Sequence, residues 1–242
     1  MIQKIINKIK KIDEKLSTMR IQELVNTNFI NAETERCGNN YGGFFVLSSR
    51  KYCNCSAKTV LTFGIGEDLS FSENIKKLFN PQIYAFDPTP KSIKFVKNHW
   101  LAKDPDFHFF PIGLSDKNEI TEFHLPVNPA YVSGSIQVHE GVRTESINVE
   151  MESLLTICSE NGISTIDILK MDIEGSEFAV IPNIISEGLV FNELCIETHE
   201  RYFKDRNKKM LELFTLLIKN GYKFISANGN EYTLIKENLL IE

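Results

Sequence analysis

The sequence predicts a doubly wound α/β domain: a mostly parallel seven-stranded sheet with helices on both faces, ended by a C-terminal antiparallel hairpin. Three observations carry this. Short apolar runs alternate with helix-patterned segments from residue 59 onward, the first run stops at a glycine, and the last two runs flank Asn228-Gly229. Alternation of this kind builds parallel sheets, whose strands read as short apolar runs because both faces are buried. A chain of 242 residues is enough for one such domain with a well-buried core.

The first element is an amphipathic helix over residues 1–20. Ile2, Ile5, Ile6, Ile9, Ile12, Leu16 and Met19 recur at spacings of three and four, which places them on one face. Lys4, Lys8, Lys10, Lys11, Lys15 and Arg20 outnumber Asp13 and Glu14, giving a net +4. Such a helix packs on its own domain or on a second subunit, as in a homodimer; a basic amphipathic helix can also lie on a membrane surface. Residues 1–36 are therefore assigned to this helix and a linker, and 37–242 to the α/β domain. After the glycine-bearing CGNNYGGFF, TVLTF (59–63) is the first strand and Phe71–Phe79 the first helix of that domain. QIYAF (82–86) is the second strand, Lys91–Leu101 a helix, and FHFFPI (107–112) the third strand. EITEFHL (119–125) alternates with period two and is a strand or half a hairpin. Residues 126–146, with two Pro and two Gly, form the longest irregular stretch; long loops in compact domains are usually functional or mobile. Ser153 caps a helix running to Asn161. IDILKMD (166–172) and LCIET (194–198) are the fourth and fifth strands. Lys204–Asn220 is a helix ended by Asn220-Gly221, and YKFISANGNEYTLIK folds back on itself at Asn228-Gly229.

Composition removes several classes of function. No apolar run reaches the roughly 18–20 residues that cross a bilayer, so no transmembrane segment is expected. A formal net charge of −5 argues against a nucleic-acid partner. Five cysteines, an odd number, make no disulfide framework and point to the cytoplasm. Cys53-Asn54-Cys55 has no second pair to complete four zinc ligands.

Gly64 and Gly66 follow the first strand directly. Glycine there turns the chain sharply and lets a ligand approach with no Cβ in the way. By itself the pair can be a plain turn. Asp87 stands 23 residues after Gly64, at the tip of the second strand. A carboxylate in that place accepts both hydroxyls of a ribose, although it can also cap a helix. Together the two features specify a ribose-bearing cofactor. Dinucleotides need a third glycine beside their pyrophosphate, and here Glu67 and Asp68 occupy the phosphate position, where carboxylates repel phosphate. S-adenosylmethionine has no phosphate; its ammonium and sulfonium suit acidic neighbours. The cofactor site is accordingly assigned to Gly64, Gly66, Glu67, Asp68, Ser70, Asp87, Pro88 and Thr89, joined by Gly113, Leu114 and Ser115 in the turn after the third strand. Ser115 and Asp116 can bond an adenine edge, or simply close that turn.

These motifs resemble the FkbM-like class I methyltransferases. YGGFFV (41–46), VLTFGIGEDLSF (60–71), IYAFDPTP (83–90), FPIGLSD (110–116), IDILKMDIEGSEF (166–178) and LCIETH (194–199) carry the resemblance in order, and KMDIEGSE (170–177) is the most specific of them. The resemblance implies a Rossmann-like methyltransferase fold and methyl transfer from S-adenosylmethionine to a hydroxyl, often on a sugar or secondary metabolite. The chain departs from many members at Thr62-Phe63-Gly64, where Asp-Val-Gly is common.

Methyl transfer to an alkyl hydroxyl needs alignment and a base or a metal to handle the proton. The candidates stand at the tips of the fourth and fifth strands: Lys170, Asp172, Glu174 and Glu177, and Glu197, His199 and Glu200. Adjacent parallel strands would bring Asp172 and His199 over one crevice. His199 is the expected general base, since an imidazole titrates near neutrality. Asp172 is expected to touch the cofactor or orient the base, Glu174-Gly175 to form the turn that aims it, and Lys170 to pair with Glu197. The same groups can instead hold a divalent ion, the less favoured reading. His139, in the long loop near Arg143, is a candidate for the acceptor pocket. Two rival functions stay open: an NAD(P)-dependent oxidoreductase on a similar sheet, and a non-catalytic S-adenosylmethionine-binding partner subunit.

Overall fold

A computed structural model describes residues 2–48, 57–128, 134, 136 and 142–239, with only the backbone for 2–11 and 142–145. Cys53, Cys55 and His139, and the side chains of Ile2, Ile5, Ile6, Ile9, Lys4, Lys8, Lys10, Lys11 and Arg143, lie outside what is described. A helix α1 (Ile2–Thr27) is followed by an antiparallel pair, β1 (Thr34–Cys37) and β2 (Phe44–Leu47). The domain proper then alternates: β3 (Thr59–Phe63), α2 (Ser70–Phe79), β4 (Gln82–Phe86), α3 (Pro90–Lys97), β5 (Phe107–Phe110). A side sheet follows from β6 (Gly113–Leu114), β7 (Glu119–Pro126) and β8 (Val142–Glu152). The chain closes with α4 (Leu154–Glu160), β9 (Ile166–Met171), α5 (Glu177–Ser186), β10 (Phe191–Glu197), α6 (Arg206–Lys219), β11 (Tyr222–Asn228) and β12 (Glu231–Lys236).

The main sheet has seven strands in the order β11-β12-β10-β9-β3-β4-β5, parallel from β10 to β5 and antiparallel at the β11–β12 end. This is the expected fold. Side chains alternate across a strand, so Leu61, Phe63, Leu169, Met171, Leu194 and Ile196 face one core, with Phe214 and Leu217 of α6. Val60, Ile168 and Cys195 face the other, with Phe71 and Ile75 of α2. Each fully buried large apolar side chain of this kind contributes roughly 1.5–3 kcal/mol. After β3 the chain lays β4 and β5 on one side and later returns to lay β9 on the other. That reversal opens a crevice at the C-terminal ends of β3 and β9, the place where open α/β sheets bind ligands.

Four elements differ from expectation. β1 and β2 pair on either side of the glycine-bearing stretch, and β1 spans the expected boundary between residues 36 and 37. β8 pairs with β7 from Val142 to Met151, so the stretch read as irregular ends at 142. Ile147, Val149 and Met151 alternate on one face of β8 against Phe123, a period-two signal present in the sequence. α5, between β9 and β10, has apolar residues almost all round; Val180, Ile181 and Ile184 are buried, and Pro182 lies within it.

The N-terminal helix continues to Thr27, beyond the expected residue 20. Ile21, Leu24 and Val25 pack on the main core, whereas Ile12, Leu16 and Met19 are exposed. Its middle lies along α6, where Asn207 donates to the Glu14 carbonyl (3.1 Å) and Arg206 pairs with Glu14. The chain then runs beside β11: Ile30 N–H donates to Phe224 O and Phe224 N–H to Asn28 O, covering the sheet's edge. No helix among the described residues is long and apolar enough to cross a membrane.

Candidate functional site

A cavity of about 680 Å³ lies over the β3–β9 crevice. Gly64, Gly66, Glu67, Asp68, Asp87, Pro88, Thr89, Gly113, Leu114, Lys170, Asp172, Glu174 and His199 all line it, so residues more than a hundred positions apart in sequence share one space. Ser70 and Ser115 do not line it. Ser70 Oγ accepts from Asn39 N–H (2.9 Å) and donates to Asp68 (3.1 Å), while Ser115 Oγ donates to Asp116 (3.2 Å). Both hydroxyls brace turns.

The glycine loop is held from three sides. Gly64 takes φ +70°, and a Cβ there would sit 1.7 Å from the carbonyl oxygen of Asp172. It is the backbone of β9's end that demands glycine. Gly66, at φ +56°, donates its N–H to Asp87 Oδ2 at 2.9 Å. The other oxygen of Asp87 accepts from Thr89 N–H (2.9 Å) and Thr89 Oγ (2.6 Å). Burial raises the Asp87 pKa, while the bonds from Thr89, Gly66 and Ser92 act the other way. Both oxygens of Asp87 are thus engaged by the protein, and its carboxylate still lines the cavity. Asp68 accepts from Ser70 N–H (2.8 Å) and Asn39 Nδ2 (2.7 Å), tying the β1–β2 turn over the loop. Glu67 is exposed at the rim.

Lys170 is 4% exposed and does not pair with Glu197, because the β9–β10 register sets Lys170 opposite Cys195. Its ammonium donates to Gly64 O (2.7 Å) and Phe63 O (3.4 Å) and stands 3.7 Å from Asp172 Oδ2. It joins the ends of β3 and β9 electrostatically. Lys170→Met keeps the stem and removes these bonds. Hydrogen bonds to charged groups are worth about 1.5–3 kcal/mol, so the melting temperature should fall by roughly 3–12 °C at ~2–4 °C per kcal/mol. An unchanged melting curve would remove Lys170 from this bracing role.

The far end of the cavity is acidic. His199 is 1% exposed, at the centre of four carboxylates. Nδ1 lies 2.9 Å from Glu177 Oε1; Nε2 lies 3.3 Å from Glu174, 3.7 Å from Asp172 and 3.7 Å from Glu197. Burial disfavours the charged ring, but Glu177, Glu174 and Asp172 outweigh it and raise its pKa from 6.5 to about 9. Burial and the neighbouring Asp172 push Glu197 up to about 7. Glu174 sits in the left-handed region (φ +53°) ahead of Gly175, which is the turn expected there. Tyr202 donates to Glu174 Oε2 at 2.7 Å, and Asn230 Nδ2 to Glu197 at 2.6 Å.

Three participants escaped the sequence reading. Tyr202 and Asn230 line the acidic end, and Asn39 ties the β1–β2 turn to Asp68. Tyr202 sits in a single short turn after His199 and Asn230 in a hairpin, where no spacing rule marks them. Asn39 had a signal: it stands in the glycine-bearing stretch that precedes β2.

Comparison with known proteins gives three likenesses. The family described as "Methyltransferase FkbM domain" matches residues 37–224. A protein of Sinorhizobium fredii (strain NBRC 101917 / NGR234), 2-O-methyltransferase NoeI, is 31% identical over 114 residues, 41% of this chain and 46% of that one. The chain thus aligns with a little under half the length of this relative. A crystal structure of M. jannaschii TYW2 in complex with AdoMet is similar over 85% of both chains at 12% identity, with a TM-score of 0.30, too slight a likeness to argue from.

Proposed function

Because the chain belongs to the FkbM methyltransferase domain family, we propose that it transfers the methyl group of S-adenosylmethionine to a hydroxyl of a small-molecule acceptor, a sugar or glycan building block. One observation carries this reading. A single cavity runs from a glycine loop flanked by carboxylates to a buried cluster of ionisable side chains. The loop end, with Gly66, Asp68 and Asp87, suits a cofactor that has a ribose and positive charges and no phosphate. The cluster end, with Asp172, Glu174, Glu197 and His199, suits an acceptor whose hydroxyl must be oriented and relieved of its proton.

Oxygen as the accepting atom, and a carbohydrate as its bearer, draw support from the family and from the 2-O-methyltransferase relative. Polar groups at the cavity's acidic end, Arg201, Tyr202 and Asn230, suit a ligand rich in hydroxyls. The described cysteines, Cys37, Cys158 and Cys195, are unbridged and buried, in keeping with the reducing cytoplasm.

Calorimetry with S-adenosylhomocysteine and with NAD tests the cofactor. Binding of the first and not the second is expected; the reverse would favour the oxidoreductase. Transfer of labelled methyl from S-adenosylmethionine to a panel of sugars, sugar nucleotides and oligosaccharides tests the acceptor. Cofactor binding with no transfer to any hydroxyl acceptor would leave a binding module rather than an enzyme.

A further inference from the structure

We propose that Asp172, Glu174 and His199 form a site for one divalent metal ion of the class that takes oxygen and imidazole ligands, such as Mn²⁺ or Mg²⁺, and that this ion receives the acceptor's hydroxyl. The second clause rests on the methyltransferase reading; the first stands on geometry alone. One ligand atom from each of the three residues lies within 4.8 Å of the others. His199 Nε2 is 3.3 Å from Glu174 Oε2 and 3.7 Å from Asp172 Oδ1. Two ligands each roughly 2.1 Å from an ion are up to about 4.2 Å apart, so these separations need little adjustment.

A group of acids on a surface would not suffice. What singles out this one is the orientation of a buried imidazole. Glu177 is fully buried and accepts the N–H of Ile173 on Oε1 and of Gly175 on Oε2, each at 3.0 Å. Both its oxygens are acceptors, so its 2.9 Å contact with His199 makes Nδ1 the donor. With Nδ1 engaged by Glu177, Nε2 is the ring atom turned toward the oxygens of Asp172 and Glu174. The arrangement matches the pattern in which a carboxylate behind a histidine fixes its tautomer and strengthens it as a metal ligand. The neighbours leave that space to a cation. Lys170 approaches Oδ2 of Asp172, while His199 faces Oδ1. Tyr202 orients the Glu174 carboxylate by its 2.7 Å hydrogen bond.

Three protein ligands leave positions open on a six-coordinate ion. The cavity reaches the cluster from the cofactor's side, so a hydroxyl bound there would stand toward the methyl group. A bound cation lowers the pKa of such a hydroxyl and fixes its direction.

The test uses the full chain, stripped of metal by chelation and desalting, with Mn²⁺ titrated and followed by electron paramagnetic resonance. One saturable site per chain is expected. Glu174→Gln, whose amide oxygen still receives the Tyr202 hydroxyl, and Asp172→Asn should each weaken Mn²⁺ at least tenfold. Circular dichroism checks their folding, and calorimetry with S-adenosylhomocysteine on the Glu174→Gln protein checks the cofactor end. Absence of saturable Mn²⁺ binding at millimolar concentration, in protein that binds S-adenosylhomocysteine, would overturn the metal site and leave the methyltransferase reading in place. Saturable binding that survives both substitutions would put the ion elsewhere and overturn it as well. Mn²⁺ binding without S-adenosylhomocysteine binding would uphold the site and sink the functional reading.

Discussion

Gly64→Ala should abolish measurable S-adenosylhomocysteine binding and lower the melting temperature about as much as Gly64→Val. The two substitutions are equivalent because the damage is done by the first atom of the side chain. A Cβ at residue 64 would lie 1.7 Å from the Asp172 carbonyl oxygen and 2.8 Å from its carbonyl carbon. Backbone cannot swing aside as a flexible side chain can. β3 and β9 would have to part at their C-terminal ends, where Asp172 N–H donates to Phe63 O (3.2 Å) and Lys170 holds Gly64 O. The positive φ adds roughly 1–2 kcal/mol for any residue with a Cβ. Strain and clash together should cost at least about 3 kcal/mol, a fall of roughly 6–12 °C in a domain of this size. Calorimetry and a thermal melt decide it. Tolerance of Ala with rejection of Val would mean that the glycine serves only to leave room for a ligand.

Asp87→Ala should weaken S-adenosylhomocysteine by ten- to hundredfold with the fold retained. Its carboxylate accepts from Gly66 and Thr89, which sets the shape of the glycine loop, and it lines the cavity where a ribose would lie. Hydrogen bonds to a charged acceptor are worth about 1.5–3 kcal/mol each, and about 1.4 kcal/mol is tenfold in affinity. Asp87→Asn discriminates between the two contributions. An amide oxygen can still serve one side, either the loop or the ligand, so its affinity should fall between that of the parent and that of the alanine variant. Parental affinity in Asp87→Ala would remove Asp87 from the cofactor site.

The parts of the site that were legible are those in which a residue's type and its place on a strand already limit the chemistry. Gly64, Gly66 and Asp87 lie at strand tips with the spacing of a ribose site, and all three line the cavity. Asp172 and His199 were expected over one crevice, and their side chains stand 3.7 Å apart. The expectations that failed concern partners. Lys170 was paired with Glu197 on the strength of opposite charge, but parallel register puts Cys195 across from it and leaves two carbonyls and Asp172 within its reach. β8 was missed because only its half facing Phe123 is apolar in alternation, and its partner β7 precedes a long connection.

The sequence by itself determined the α/β alternation, the glycine loop and Asp87 at the strand tips, and the identity of the ionisable groups. Those properties follow from local periodicity and from spacings within a few tens of residues. Only the tertiary structure decided which atom each group meets. Gly64 is glycine because of Asp172, more than a hundred residues away, and His199 differs from an ordinary histidine because Glu177 fixes its Nδ1 proton while Asp172, Glu174 and Glu197 crowd its Nε2. Charge and hydrogen bonding act over a few ångströms of space, and the pleat and register of the parallel strands determine which distant residues come within that range.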